Sequence, residues 1–482
     1  MTARTGKQFL EGLRDEREVW LGNERVAVAT HPAFGGSLAG LAGYFDWQHD
    51  HAEDCLVPDP WTGAPMSASL ILPRTPADLA QRHRCFESLA SYSFGMMGRT
   101  PDYVNVTAAG FAARRDVFEQ TGETRGAEAM VAFHREVAES DLALTHTIIH
   151  PVVDKSLGDV EGINGELSLR IVRRNREGIV VRGARILATL GPFADEIFVY
   201  PGQPLARGAD PAHAVAFSVP VATKGVVNIC RDHYGSAGPV ADHPFSSRFD
   251  EQDSFVVFDD VEVPWERVFI GGDAELYNRL MSASGWAANI MQQTTIRAAV
   301  KLELAYELCS AMAEMLNSAA KPDVSQLLGE LWGYGALTRA AITAAEAGAH
   351  TYGDGVLFCD DRPFRALRAT MPTWMARANE IIKLVGSHNL LATPSAAAFD
   401  HPTMAPVLER YLPGARGAAA RDRARLFRAA WDFAGSALGG RTELYERFYL
   451  ASAARNHSLN HVIAQREANG GALDRLLERS PA

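Results

Sequence analysis

GELSLRIVRRNREGIVVRGARILATLGPFADEIFVYP, residues 165–201, decides the fold class. Leu167, Leu169 and Ile171 alternate with Ser168 and Arg170, the period of a strand with one buried face. Glu177-Gly178 turns the chain, and IVVRGARILATLG and EIFVYP follow as further β-rich runs. AVAFSVPV, VVNICR and SFVVFDDVEVP carry the same texture to about residue 270. Short strands broken by frequent turns predict a small barrel or sandwich.

Outward from this block both flanks read as helix. TPADLAQRHRCFESLASYSF, from Thr75, opens with a capping residue and a proline at the first helical position. Beyond about 274, Ile296, Val300, Leu304, Leu308 and Met312 recur every four residues and continue at Met315, a core-facing stripe. SQLLGELWGYGALTRAAITAAEA and TWMARANEIIKLVG add two long helices, and together these supply most of a bundle. RDRARLFRAAWDFAGSALGGRTELYERFY reads as helix up to Gly439-Gly440, with a restart after it. The expectation is an α+β chain in three parts: an N-terminal helical domain at 1–140, a β-domain at 141–273, and a C-terminal bundle and tail at 274–482.

Composition narrows the function. Of 482 residues, 47% are apolar and 22% charged, the profile of a globular protein with a large core. A net charge of -11 argues against a nucleic-acid binder, which needs a basic face. Cys55, Cys85, Cys230, Cys309 and Cys359 are scattered and odd in number, so neither a disulfide framework nor a zinc cluster is expected, and no metal is assigned. The N-terminus has no apolar signal core and no run of 18 apolar residues occurs, which places the chain in the cytoplasm with no membrane contact.

MMGRTPDYVN, residues 96–105, sets Arg99 and Tyr103 on either side of Pro101. The proline disfavours helix at Thr100 and opens one at its own position. Arg99 then precedes the helix and Tyr103 lies in its first turn. Two donors there suit one developing oxyanion. A structural arginine bridged to Asp102 or another carboxylate is the other reading. In HTIIHP, His146 and His150 are four apart, but β-branched neighbours and Pro151 favour extended chain, where four residues span about 13 Å and two rings cannot share one ion. His146 stays open as a general base or a pocket donor. His457 and His461 of HSLNH read as a solvated helix face. GGSLAGLAG at 35–43 follows no strand and is no dinucleotide fingerprint. Arg297 and Lys301 are either a diphosphate contact or a solvated basic edge.

MGRTPDYVN, LTHTIIHP, ARILATLGPFADEIFVYP, HPFSSRFDEQDSFVVFDDVEVPWERVFI and GGRTELYERFY together resemble the oxygenase component of two-component 4-hydroxyphenylacetate 3-monooxygenases. The resemblance runs from TGKQFLEGLRDEREVWLGNERV to the C-terminal region. It implies an acyl-CoA-dehydrogenase-like fold with a central β-barrel and a C-terminal four-helix bundle, assembled as a homotetramer. FAD would lie between barrel and bundle as FADH2, supplied by a separate NAD(P)H:flavin reductase. With O2 it would form a C4a-hydroperoxyflavin that hydroxylates a phenol ortho to its hydroxyl, giving a catechol.

By the same resemblance Arg99, Tyr103 and His146 surround the substrate phenol. The flavin side takes in His146, Thr147, Val152, Val153, Asp154 and Lys155, then Thr189, Arg297 and Tyr449. Val152 and Lys155 stand where the family has Gln and Arg. Leu450, Ala451 and Ser452 replace a Gly-Asp after Tyr449, and GSHNLLATPS at 386–395 is less glycine-rich than usual. The family reads its substrate's acid end near PGQPLARGADPAHA, 201–214, and includes members acting on carrier-bound phenols. A flavin dehydrogenase of the acyl-CoA type and a non-catalytic subunit are the alternatives on the same fold.

Overall fold

The computed structural model describes residues 3–120, 124–157, 165–467 and 472–478. Its N-terminal part holds α1 (Gly6–Gly12), α2 (Gly35–Asp50), α3 (Ala52–Cys55), α4 (Pro76–Tyr92), α5 (Pro101–Ala112), α6 (Arg115–Glu119) and α7 (Arg125–Ser140). GGSLAGLAG is the first half of α2. Local chemistry sets the boundaries. Thr75 accepts from the Asp78 N–H at 3.2 Å and Pro76 takes the first helical position of α4. Thr100 is extended, as a residue before proline should be, and α5 begins at Pro101.

Short strands β1 (Glu18–Leu21), β2 (Glu24–Arg25), β3 (Leu56–Pro58) and β4 (Pro65–Ser67) lie within this part. The β-domain adds β5 (Leu144–Thr147), β6 (Arg170–Arg174), β7 (Gly178–Thr189), β8 (Glu196–Val199), β9 (Val215–Pro220), β10 (Val226–Cys230), β11 (Asp253–Pro264) and β12 (Val268–Gly271). One sheet runs β2-β1-β10-β11-β7-β6 and a second runs β12-β9-β8-β5. Val181, Val256 and Phe258 of the first share a core with Ile197, Val199 and Phe217 of the second.

The expected barrel is therefore corrected to two open sheets: among the described residues neither closes. The sheets meet where the Ile186 N–H donates to Ile149 O at 3.1 Å. Pro151 has no N–H to extend that pairing. The opening alternation also starts later than read. Leu167 is half exposed, whereas Leu169 and Ile171 are buried.

The C-terminal part holds α8 (Ala274–Ala283), α9 (Trp286–Met315), α10 (Pro322–Ala347), the hairpin β13 (His350–Tyr352) and β14 (Val356–Phe358), and α11 (Asp361–Gly386). Then come α12 (Asn389–Ala392), α13 (Met404–Tyr411), α14 (Ala420–Ala434), α15 (Ala437–Phe448), α16 (Ala453–Glu467) and α17 (Ala472–Glu478). Helices α9, α10 and α11 pack on one another, with α14 against α9 and α11. The apolar core is continuous from Phe9 and Phe86 of the N-terminal helices to Ile296, Phe364 and Phe433 here.

Two helical expectations shift. Residues four apart drift about 40° per step on a 3.6-residue helix, so a four-residue stripe does not keep to one face: Ile296, Leu308 and Met312 are in the core, the others at its edge. Val300, Leu304 and Met315 are only half-buried, and the deepest line is Ala298, Leu302, Ala305, Cys309 and Met312. The tail breaks at Gly435-Ser436, not at Gly439-Gly440. Ser436 caps α15 by accepting from the Gly439 N–H at 3.0 Å, and the two glycines continue the helix. Among the described residues no helix is long and apolar enough to cross a membrane.

Candidate active site

Arg99, Tyr103 and His146 come together, all buried. The Arg99 guanidinium lies over the Tyr103 ring, 3.8 Å from its centroid. The His146 ring is 5.3 Å from that of Tyr103 and stacks on Tyr200 at 5.5 Å. The strand reading of HTIIHP holds for the histidine pair. His146 is in β5, while His150, past its end, turns to Tyr277 at 3.4 Å. His457 and His461 are exposed on α16.

No carboxylate pairs with the Arg99 side chain among the described residues. Asp102 instead accepts from Tyr44 at 3.0 Å and Gln293 at 2.8 Å. Arg99 Nη1 donates to Tyr445 OH at 2.6 Å, and that hydroxyl donates to Gly98 O at 3.1 Å. A Cβ at Gly98 would lie within 2.4 Å of Tyr445 Cζ, Cε1 and OH, so any side chain here has to displace the tyrosine head. The Arg99 backbone N–H is fixed by Glu251 at 2.5 Å, and Arg441 holds the other Glu251 oxygen at 2.7 Å. Arg441, Tyr445 and Tyr449 recur every four residues, so one line of side chains at α15 and its C-cap walls the site.

That helix is clamped on two sides. Arg441 and Arg231 both bind Asp253, which also accepts from Thr189 Oγ1 at 2.7 Å. Glu446 takes two hydrogen bonds from Arg297 and one from Lys301 at 3.1 Å. Arg297 is thus no solvated edge; it is buried and committed to Glu446, with its charge 5.2 Å from the Tyr449 ring. Burial alone would raise the Glu446 carboxyl, but the two cations outweigh it and hold it at about 2. Lys301 goes down, because burial and the Arg297 charge together outweigh Glu446.

His146 departs from the expectation of an ordinary histidine. Burial first, and the Arg99 charge second, push its pKa well below 6.5, so it is neutral. His146 Nδ1, Thr147 Oγ1, Tyr200 OH and Tyr449 OH are buried without a hydrogen-bond partner. Such atoms are normally satisfied, and three of them, on His146, Tyr200 and Tyr449, belong to side chains gathered about the buried Arg99 charge.

The remaining expected flavin contacts lie outward. Val153, Asp154 and Lys155 are exposed, and Asp154 accepts from Ser156 in a local turn. Two surface clefts, about 690 Å³ beside Arg25 and Lys224 and about 310 Å³ beside Arg125 and Trp265, contain none of these residues. Tyr200, Glu251, Arg441, Tyr445 and Glu446 escaped the sequence reading. Each lies in a stretch already singled out, but only a fold joins partners as far apart as Arg99 and Tyr445.

The sequence pattern of 4-hydroxyphenylacetate 3-hydroxylase N-terminal regions matches residues 5–270, and that of the C-terminal regions matches residues 277–477. The chain belongs to the 4-hydroxyphenylacetate 3-hydroxylase family. It is 34% identical over 467 residues to the 4-hydroxyphenylacetate 3-monooxygenase oxygenase component of Thermus thermophilus, spanning 96% of this chain and 95% of that protein. A crystal structure of such a hydroxylase oxygenase component, complexed with FAD and 4-hydroxyphenylacetate, superposes with a TM-score of 0.90 at 33% identity, covering 99% of this chain and 97% of the other. Outside the hydroxylases, an archaeal 4-hydroxybutyryl-CoA dehydratase shares the fold, with a TM-score of 0.85 at 19% identity over 96% of this chain and 92% of its own.

Proposed function

We propose that this protein is the oxygenase component of a two-component flavin monooxygenase that converts a phenol to a catechol with FADH2 and O2. Reduced flavin and O2 supply the electrophilic oxygen atom. The chain supplies everything that aims and polarises the phenol. The observation that carries this reading is a buried guanidinium, Arg99, with no side-chain carboxylate pair among the described residues, beside a neutral histidine whose Nδ1 is unpartnered there.

Arg99 stabilises phenolate, which loads electron density onto the ortho carbon. With Arg99 charged beside it, an imidazolium at His146 is costly unless an anion lies between them; a phenolate is that anion. His146 therefore accepts the phenolic proton in the step that forms the phenolate. Tyr103 and Tyr200 hold the rings in register, and burial keeps out the water that would divert the oxidant. Thr147, Thr189, Tyr449 and the surface run Val152–Lys155 are assigned to the flavin. Arg297 acts there through Glu446, and Lys155 offers a point charge in place of an arginine fork.

The wider reading is a homotetramer of acyl-CoA-dehydrogenase-like subunits, divided at 1–140, 141–273 and 274–482, served by a separate NAD(P)H:flavin reductase in the cytoplasm. Exposed Trp332, Leu337, Leu384, Leu391, Leu444 and Phe448 on the helical part support an assembly that buries them. Five free buried cysteines suit a reducing compartment. An acyl-CoA dehydrogenase reading needs a carboxylate base on the helical part, and Glu446, held ionised by two cations, is a poor one.

The test is coupling. Arg99→Ala and His146→Ala are expected to keep fold and FAD binding while O2 consumption yields H2O2 in place of catechol. Unchanged catechol formed per O2 in both variants would falsify the assigned roles.

A further inference from the structure

Arg441, near the start of α15, has 7% of its side chain exposed and binds two carboxylates with different duties. Its Nη1 donates to Glu251 Oε2 at 2.7 Å, and Glu251 Oε1 accepts the Arg99 backbone N–H at 2.5 Å. Its Nε and Nη2 fork onto Asp253 at 3.0 and 2.8 Å, and Asp253 Oδ1 accepts from Thr189 Oγ1 at 2.7 Å. One guanidinium thus joins the arginine placed on the phenol to a threonine assigned to the flavin, with a single carboxylate on each side.

The joint is braced. Asp253 opens β11 and Glu251 precedes it by two, the spacing that sends side chains of an extended chain to one face. The Leu190 N–H donates to Gln252 O at 2.9 Å, which carries the pairing of β11 with β7 past Thr189. Arg231 grips the same stretch, with Nε on Asp253 Oδ2 at 2.9 Å and Nη2 on Glu251 O at 2.9 Å. Thr145, next to His146 on β5, donates to Thr189 O at 2.5 Å. Burial alone would raise the Asp253 carboxyl, but Arg441 and then Arg231 hold it at about 2, so it stays ionised.

A buried ion pair is an inefficient way to hold a helix, since well-packed apolar side chains do as well. What a guanidinium fork adds is direction: its fixed fan of N–H vectors sets angle as well as distance. Oxygen transfer between two bound partners needs that, because a misplacement of about 1 Å can cost on the order of 100-fold in rate. Resting on the proposed phenol hydroxylation, we infer that Arg441 is a positioning residue: with Glu251 and Asp253 it forms a strut that sets the phenol at Arg99 in register with the flavin at Thr189, so that each ligand binds more tightly once the other is in place.

The test uses the full-length protein as wild type, Glu251→Gln, Asp253→Asn and the double variant, each single change cutting one arm with an amide of the same shape. FAD binding is titrated by flavin fluorescence, alone and with excess p-cresol, without turnover. In wild type p-cresol is expected to tighten FAD on the order of 5- to 10-fold, the lower range of a coupling between sites. In E251Q that factor is expected to fall to within about 2-fold of one, while FAD measured alone binds within about 3-fold of wild type. D253N loses the factor as well, and the double variant loses no more than either single one, since a strut is cut once. In turnover with FADH2 and O2, E251Q is expected to form several-fold less 4-methylcatechol per O2 at an unchanged KM for p-cresol, a split that a merely structural carboxylate would not give. A wild-type factor of one, a factor retained in both single variants, or losses that add in the double variant overturn the strut. FAD binding weakened more than about 10-fold in E251Q without p-cresol makes the carboxylate part of the flavin cradle, and also overturns it. Should E251Q not fold, R441K, which keeps the charge but spans one carboxylate only, is read by the same criteria. A wild type that shows the linkage and forms no catechol counts against the proposed activity and leaves the strut standing.

Discussion

Replacing Glu446 by Gln removes the anion that holds two buried cations. Arg297 and Lys301 both donate to this carboxylate, and it is buried with them. Its pKa falls from 4.5 to about 2 on folding. The group binds its proton less readily folded than unfolded. Its stabilisation is therefore full above pH ~4.5 and drains away as the pH falls toward ~2, and the shift is worth about 3 kcal/mol. Breaking a buried pair from one side costs a similar amount, and about 3 kcal/mol is a large share of a typical stability. Urea unfolding followed by tryptophan fluorescence over a pH series is the assay. E446Q should lie about 3 kcal/mol below wild type at pH 7, with the gap narrowing by about 2 kcal/mol at pH 3. A gap under about 1 kcal/mol at pH 7, or one that does not change with pH, would refute an ionised, paired Glu446.

His150, held at about 2 when folded against 6.5 unfolded, works in the same direction but from a higher pH. The unfolded chain takes up its proton first, so stability drops as pH falls below 6.5. His150→Asn should remove about 2 to 3 kcal/mol of that drop at pH 4.5; an unaltered pH profile of the Tm would speak against it. Gly98→Ala should displace Tyr445 from Arg99 and lower the catechol formed per O2 while leaving far-UV circular dichroism unchanged; full coupling would show that the tyrosine contact is idle. Tyr445→Phe removes two hydrogen bonds without adding bulk and should cost about 1 to 2 kcal/mol in urea unfolding, with an unmoved midpoint as the contrary result.

Much of this protein was legible before any fold was drawn. Thr75-Pro76 and Thr100-Pro101 start helices where their chemistry says, because capping and proline geometry act within four residues. HTIIHP is extended for the same local reason. Arg99, Tyr103 and His146 were picked out together by motif resemblance. Misreadings occur where a short window is too coarse, as with the four-residue stripe on α9, or where a break is a matter of one cap, as at Ser436.

Tertiary structure decided what those residues are. Whether Arg99 is a salt-bridged strut or a buried cation seeking an oxyanion depends on Tyr445, 346 residues away, and on Asp102 being occupied by Tyr44 and Gln293. Arg297 reads in sequence as a diphosphate contact or a basic edge, and in space it is one side of a buried clamp on Glu446. The sequence determined the strands, caps and motifs because those forces act between near neighbours. Burial and charge pairing act between residues the chain separates, and only the packed fold sets them.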